Sequence, residues 1–269
     1  TYPGFLGDAG AARIAAPERE LLGVLLDERR VGSLRFNLES VVRTGRSVRD
    51  RLSSDALRVI NVLHRELSRP VELNGAIEVL ERVILNLAAF AGLCGESMSR
   101  GQGWRFLEIG RCLERAVQAI TLLRSLIPVT SSDGPLWEAM LAIAHSIKTY
   151  RRRYRSQIQP HAVLDLLLLD ESNPRSVGYQ LAQLYASVRA LAPEASRRSA
   201  AERLALDALD RVRLIDLDTI NLAPGNETAT GDLPELLVAV AEVLARLSDE
   251  LTRRYFTQAE LPQQLIRLA

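Results

Sequence analysis

Apolar residues recur every three or four positions along nearly all of this chain, and the strict alternation expected of a half-buried strand is hard to find. From Leu73 to about Ser97, the residues Leu73, Ile77, Leu80, Ile84, Leu87 and Ala91 fall on one face, which predicts a long helix with that stripe turned to a core. Phe106, Ile109, Leu113, Ala116, Ile120 and Leu123 make a second stripe, on a helix predicted from Trp104 to about Leu126. The same periodicity places helices at about 17–26, 33–51, 53–68, 135–155, 174–191, 199–222 and 231–256. Turn chemistry separates them. Asp27 suits a helix stop, and Asn173-Pro174 a start, with the asparagine as cap and the proline at the first helical position. Pro128 to Pro135 reads as a linker, Ala223 to Asn226 as a turn, and two glycines break the chain between Ser97 and Gly103. The expected fold is all-α, an antiparallel helical bundle.

Two segments repeat. Leu25-Leu26-Asp27-Glu28 followed by Ser33-Leu34-Arg35-Phe36-Asn37-Leu38 matches Leu168-Leu169-Asp170-Glu171 followed by Ser176-Val177-Gly178-Tyr179-Gln180-Leu181, at a constant spacing of 143 residues. Agreement in identity and spacing argues for a duplicated helical unit. It predicts one bundle domain over 1–269, with a first unit at 1–100 and a second at 101–269. Carried back by the same spacing, the helix at 104–126 has its counterpart upstream of Thr1, so the first unit is expected to be incomplete at its N-terminus. The chain also opens on threonine rather than methionine, as a product of something longer would.

Composition narrows the classes. The 269 residues are 47% hydrophobic but 5% aromatic, which suits Leu/Ala-rich helices. Thirty-four basic residues oppose 33 acidic ones, so no global charge draws the chain to nucleic acid or an anionic membrane. No apolar run reaches the ~18 residues of a membrane span, and no signal peptide opens the chain. Cys94 and Cys112 both lie within apolar helical pattern, where isolated thiols are buried and reduced, as in the cytosol.

Candidate chemistry concentrates between Gly95 and Arg115, GESMSRGQGWRFLEIGRCLER. Glu96 lies on the side of Ala89 and Gly92, small residues that permit close approach. Glu108, Arg111 and Arg115 lie opposite the apolar stripe, whereas Glu114 sits at its border beside Gly110 and Val117, where partial burial demands a cation or donors. Two readings follow: an ordinary solvated face of i,i+3 and i,i+4 charges, or an interior cluster of Glu96 and Glu114 held by Arg100, Arg105 or Arg111. The run Thr149 to Arg155, with Tyr150, Arg151, Arg152 and Arg153, is either a cationic helix C-terminus or an anion site. Arg49-Asp50-Arg51 is either an ion-pair network or a ligand site. Three histidines, none three residues after a glutamate, leave no di-iron or zinc pattern. No phosphate loop, dinucleotide fingerprint or catalytic triad is present. If a metal binds, carboxylates without histidine favour Mg²⁺.

Four ordered motifs, GRSVRDRLS (45–53), GESMSRGQGWRFLEIGRCLERA (95–116), TYRRRYR (149–155) and LLLLDESNPRSVGYQL (166–181), make the chain resemble the alpha-E domain family. The resemblance implies an all-helical bacterial domain that occurs beside, or fused to, circularly permuted ATP-grasp proteins and transglutaminase-like proteins. Carried over, it marks Glu96, Arg100, Trp104, Arg105, Glu114 and Arg115, with Arg49, Asp50, Arg51 and Arg151 to Arg153. Family members begin with a helix resembling Trp104 to Leu123, which this chain lacks. The expected function is an accessory domain without activity of its own. It would bind a partner ATP-grasp ligase, or that ligase's acidic or peptide substrate, through its Arg and Glu clusters. The alternatives are an enzyme using Glu96 and Glu114 as general acid and base or as Mg²⁺ ligands in amide formation or hydrolysis, and a structural or oligomerisation module. A cytoplasmic setting is expected.

Overall fold

Leucine- and alanine-rich segments with turn residues between them can bury their apolar stripes only against one another, so helix packs on helix. The computed structural model describes residues 17–67, 71–126, 134–155, 157–191, 197–220 and 233–256, and among them every regular element is a helix. The chain divides into two units, Thr1–Arg100 and Gly101–Ala269. The first holds α1 (Pro17–Leu26), α2 (Leu34–Ser47), a 3-10 turn (Arg49–Arg51), α3 (Ser54–Leu67) and α4 (Leu73–Ser97). The second holds α5 (Gln102–Leu126), α6 (Gly134–Ile143), α7 (Ile147–Tyr154), α8 (Pro160–Leu164) with a π-helical turn (Asp165–Leu169), α9 (Val177–Arg189), α10 (Ala200–Arg213), a 3-10 turn (Leu217–Thr219) and α11 (Leu233–Tyr255).

In the second unit four helices close a ring: α5 packs on α9 and α11, and α10 packs on the same two from the other side. Ile109, Cys112, Ala116, Ile120 and Leu123 of α5 are buried there with Leu181 and Leu184 of α9, Ala205 and Leu209 of α10 and Leu237 and Leu244 of α11. Within the first unit α1 packs on α2, α2 on α3 and α3 on α4, around Leu38, Leu63 and Val83. Among that unit's described residues no fourth long helix closes a ring.

The consequence is visible on α4. The predicted stripe fails there, because Ile77 and Ile84 are 69% and 62% exposed while Ala76, Val83 and Cys94 are buried. On α11 the residues at the matching places, Leu237 and Leu244, are both 0% exposed. The stripe reads the same in both helices, but among the described residues of each unit α11 packs on two long helices, α5 and α10, and α4 on one, α3.

Other expectations shift for local reasons. The helix predicted at 135–155 is two helices, because His145 takes a left-handed backbone (φ 51). It ends α6 in a Schellman turn, with Ser146 N–H donating to Leu141 O and His145 N–H to Ala142 O. Asn173-Pro174 does not start α9; the cap is Ser176, whose Oγ accepts from Tyr179 N–H at 2.9 Å. Residues 49–51 and 217–219 tighten from predicted α-helix into 3-10 turns. The helix at 160–169 was missed by periodicity, since its leucines are buried all round. The predicted linker at 128–135 and the turn at 223–226 fall wholly or mostly outside the described residues.

The two turns that repeat in sequence also share their bonding. Ser33 Oγ donates to Asp27 O and Ser176 Oγ to Asp170 O, each at 2.6 Å, while Arg29 and Ser172 N–H donate to the two aspartate carboxylates, each at 2.9 Å. Pro17 and Pro160, also 143 apart, both open helices. The departure is Gly178, which stands where the first unit has Arg35. A Cβ there would lie 2.7 Å from Leu169 O and 3.2 Å from Leu168 O, so only glycine lets α9 seat against the π-helical turn.

Two comparisons test this packing in chemical denaturation. Gly178→Ala should lower stability by about 1–3 kcal/mol, since backbone cannot yield. Gly110→Ala, with no neighbour within 4 Å of an added Cβ, should raise it by about 0.5–1 kcal/mol. Leu244→Ala should cost about 2–5 kcal/mol and Ile84→Ala less than about 1.

Candidate functional site

With Ala116, Ile120 and Leu123 turned into the core, α5 presents Arg115, Gln118, Ala119 and Leu122 along one outer stripe, at i, i+3, i+4 and i+7. That stripe is one wall of a pocket of about 170 Å³ in the second unit; Ile143, Ala144, Pro174, Arg175 and Gln180 make the rest. The far wall is held firmly. The Schellman turn at His145 fixes Ile143 and Ala144. Buried Asn173 donates its side-chain Nδ2 to Leu166 O at 2.8 Å and accepts from Arg175 N–H at 3.1 Å. Gln180 is 2% exposed and donates Nε2 to Pro174 O at 2.6 Å.

Arg115 and Arg175, both exposed side chains, therefore line one open, partly apolar hollow. The pKa of Arg115 is lowered by burial first, then by the positive charges of Arg111 and Arg175. Neither Arg115 nor Arg175 has an ion-pair or hydrogen-bond partner for its side chain among the described residues. An arginine cannot shed its proton, so this like-charge crowding, offset in part by Glu108, favours an incoming anion or acceptor.

The other predicted site residues are placed differently. Arg111 donates Nη2 to Glu108 Oε2 at 2.9 Å, with Oε1 at 2.8 Å but outside hydrogen-bond geometry. This i,i+3 pair sits beside buried Cys112, whose pKa is pushed up to about 11 by burial and then by Glu108, so the thiol is inert at neutral pH. Glu114 is exposed rather than half-buried, because it points away from the ring that α5 closes. Glu96 is exposed too, at the end of α4, so neither carboxylate belongs to an interior cluster. Arg100 donates to Gly95 O at 2.6 Å and Met98 O at 3.2 Å, satisfying carbonyls at the C-terminus of α4. Trp104 and Arg105 are half-buried in the first turn of α5. Asp50 and Arg51 pair with each other at 3.0 Å, both well exposed, and Arg49 is exposed beside them.

The densest basic run is largely consumed by structure. Tyr150 is buried, its hydroxyl accepting from Gln159 N–H at 2.9 Å and donating to Gln157 O at 3.2 Å. Arg151 pairs with Glu138 at 2.7 Å, and Arg153 bridges Asp170 and Asp165. Tyr154 donates to Asp165, while Arg152 stays exposed. Burial alone would raise the pKa of Asp170, but the Ser172 hydroxyl and N–H and the Arg153 cation outweigh it and hold it below the usual carboxylate value. Among the described residues no three His, Cys, Asp or Glu side chains gather as metal ligands. None of the described helices is long and apolar enough to cross a membrane.

Arg175 and Gln180 were not singled out in the sequence. Their signal was the motif at 166–181, whose Asn173-Pro174 reads as a helix start but builds a turn that presents the next residue.

The family model that matches, over residues 5–256, is Alpha-E, described as a predicted alpha-helical domain with a conserved ER motif. Glu-Arg pairs occur at 18–19, 28–29, 81–82, 114–115 and 202–203, and the pair at 114–115 puts its arginine on the pocket. An uncharacterised protein of Mycobacterium bovis and one of Mycobacterium tuberculosis are each 30% identical over 263 residues. The match takes in 94% of this chain and 29% of either relative, so the chain spans less than a third of their length. No solved structure matches.

Asp170 carries a pH signature. Its folded pKa lies below the unfolded value, so its contribution is present at neutral pH and lost as pH falls through the folded pKa. Asp170→Asn should lower stability at pH 7 and flatten the loss of stability below about pH 4, read by denaturation across pH; an unchanged acid slope would remove Asp170 from the account.

Proposed function

The chain belongs to the Alpha-E family, and from that premise we propose that it is a binding domain of an ATP-dependent amide or peptide ligation system, holding an acidic group of a peptide substrate or partner. Circularly permuted ATP-grasp and transglutaminase-like proteins are the partners this reading assigns, following the resemblance in motifs 45–53, 95–116, 149–155 and 166–181. The observation that carries it is the pair Arg115 and Arg175 around one pocket whose lining, among the described residues, holds no carboxylate. Planar guanidinium forks match a carboxylate bidentately, and the apolar groups beside them suit the carbon skeleton that carries it.

Holding is the role, rather than catalysis. Glu96 and Glu114 are both exposed, and an exposed carboxylate keeps its hydration shell, whereas a general acid or base works in a site that excludes water. The matched turns at Asp27–Ser33 and Asp170–Ser176 support the companion reading that both units descend from one helical unit, of which the second carries the pocket.

Titrating the full chain with a carboxamide-capped acidic peptide, acetyl-Glu-Gly-NH₂, tests the proposal. Arg115→Ala and Arg175→Ala should each weaken binding at least tenfold, the range of one charged hydrogen bond of about 1.5–3 kcal/mol, with unchanged circular dichroism. Arg49→Ala should leave affinity unaltered. Equal affinity in all three variants would sink the proposal.

A further inference from the structure

The pocket offers more than positive charge. Gln180 is almost fully buried and lines it, and its Nε2 is committed to Pro174 O at 2.6 Å. A carbonyl oxygen can only accept, so this bond fixes which way the amide points. The Gln180 side-chain oxygen is then the atom left to a ligand, and it is an acceptor. Around one hollow stand two guanidinium donors, one amide acceptor and the apolar groups of Ala119, Leu122, Ile143 and Ala144.

Few ligands use all three. Inorganic phosphate at neutral pH satisfies the cations and can donate a P–OH to the amide oxygen, but it has nothing to set against the apolar wall. A glutamate side chain brings a carboxylate on a flexible stem, with its own N–H several bonds away. A peptide's last residue brings a carboxylate, an amide N–H on the adjacent carbon and a side chain, all attached to one Cα. The size agrees, because a cavity of about 150 Å³ takes a benzene ring of six heavy atoms, and this one is about 170 Å³.

We propose that the pocket captures the C-terminus of a peptide: the terminal carboxylate on Arg115 and Arg175, the last residue's N–H on the Gln180 side-chain oxygen, and a small aliphatic side chain against Leu122 and Ile143. The inference rests on the preceding reading that these arginines bind an acidic group, and sharpens it to a main-chain carboxylate. A ligation system that joins amines to carboxylates, or reopens such bonds, meets this group as substrate or product. The domain then holds the peptide end while a partner does the chemistry.

The probes are four ligands titrated into the full chain: acetyl-Gly-Ala with a free carboxylate, its C-terminal carboxamide, its N-methyl-alanine form, and inorganic phosphate. The free acid should bind, the carboxamide at least tenfold more weakly, the N-methyl form at least fivefold more weakly, and phosphate more weakly than the free acid. Arg115→Ala and Arg175→Ala should each reduce free-acid binding at least tenfold. Carboxamide or N-methyl peptide binding as tightly as the free acid, or phosphate binding tighter, overturns the proposal. If the capped acetyl-Glu-Gly-NH₂ binds through Arg115 but acetyl-Gly-Ala does not, the C-terminal assignment fails while the acidic-group reading stands. If no acidic probe binds, both fall.

Discussion

The packing of α5 against α9 and α11 is the contact on which the second unit depends. It sends Ile109, Cys112, Ala116, Ile120 and Leu123 into one core, and a fully buried large aliphatic side chain contributes about 1.5–3 kcal/mol. Their sum fixes the rotation of α5 about its axis. Each residue turns the helix by about 100°, so once that stripe is buried, Arg115, Gln118, Ala119 and Leu122 have one direction left to face. The pocket wall is the outer consequence of an inner packing decision. The same ring places α9 with its N-terminal turn across from α5, which is where Arg175 and Gln180 enter.

The π-helical turn and Gly178 belong to this arrangement. Five consecutive residues, Asp165 to Leu169, wind wide enough that Asp170 N–H reaches Asp165 O. The widened turn brings the Leu168 and Leu169 carbonyls against α9 at Gly178. π-helical turns are uncommon and recur near functional positions. Here the turn sits one short loop before Asn173, whose side chain spans back to Leu166 O while its own oxygen holds Arg175 N–H. In the first unit the same sequence frame carries an ordinary helix α1 and Arg35 in place of the glycine.

Much of the helical order was legible because periodicity is a local property: the stretches 17–26, 73–97 and 102–126 end within about two residues of where the stripes stop. Facing was harder. Ile77 and Leu237 occupy the same kind of position in their stripes, and nothing local says that only α11 lies in a closed ring. Breaks within runs were invisible where backbone handedness decides, as at His145, which is not a residue that announces a helix end. The candidate site was half legible. Arg115 stood out through its motif, whereas Arg175 depends on a turn built by Asn173, and Gln180 on a side-chain bond to Pro174 O.

Charge density was the misleading guide. Sequence draws the eye to the run from Arg151 to Arg153, where cations are most crowded. There the fold supplies Glu138, Asp165 and Asp170 as partners, so two of the three arginines already have carboxylates of the chain beside them. Arg115 and Arg175 are far apart in sequence and unremarkable in number, yet they meet around a shared hollow whose lining, among the described residues, holds no carboxylate. A cation crowd that costs free energy in the unliganded protein is a source of affinity, because an incoming anion relieves the repulsion and gains the hydrogen bonds together. Partner groups left unsupplied, rather than the number of arginines, mark where a ligand belongs.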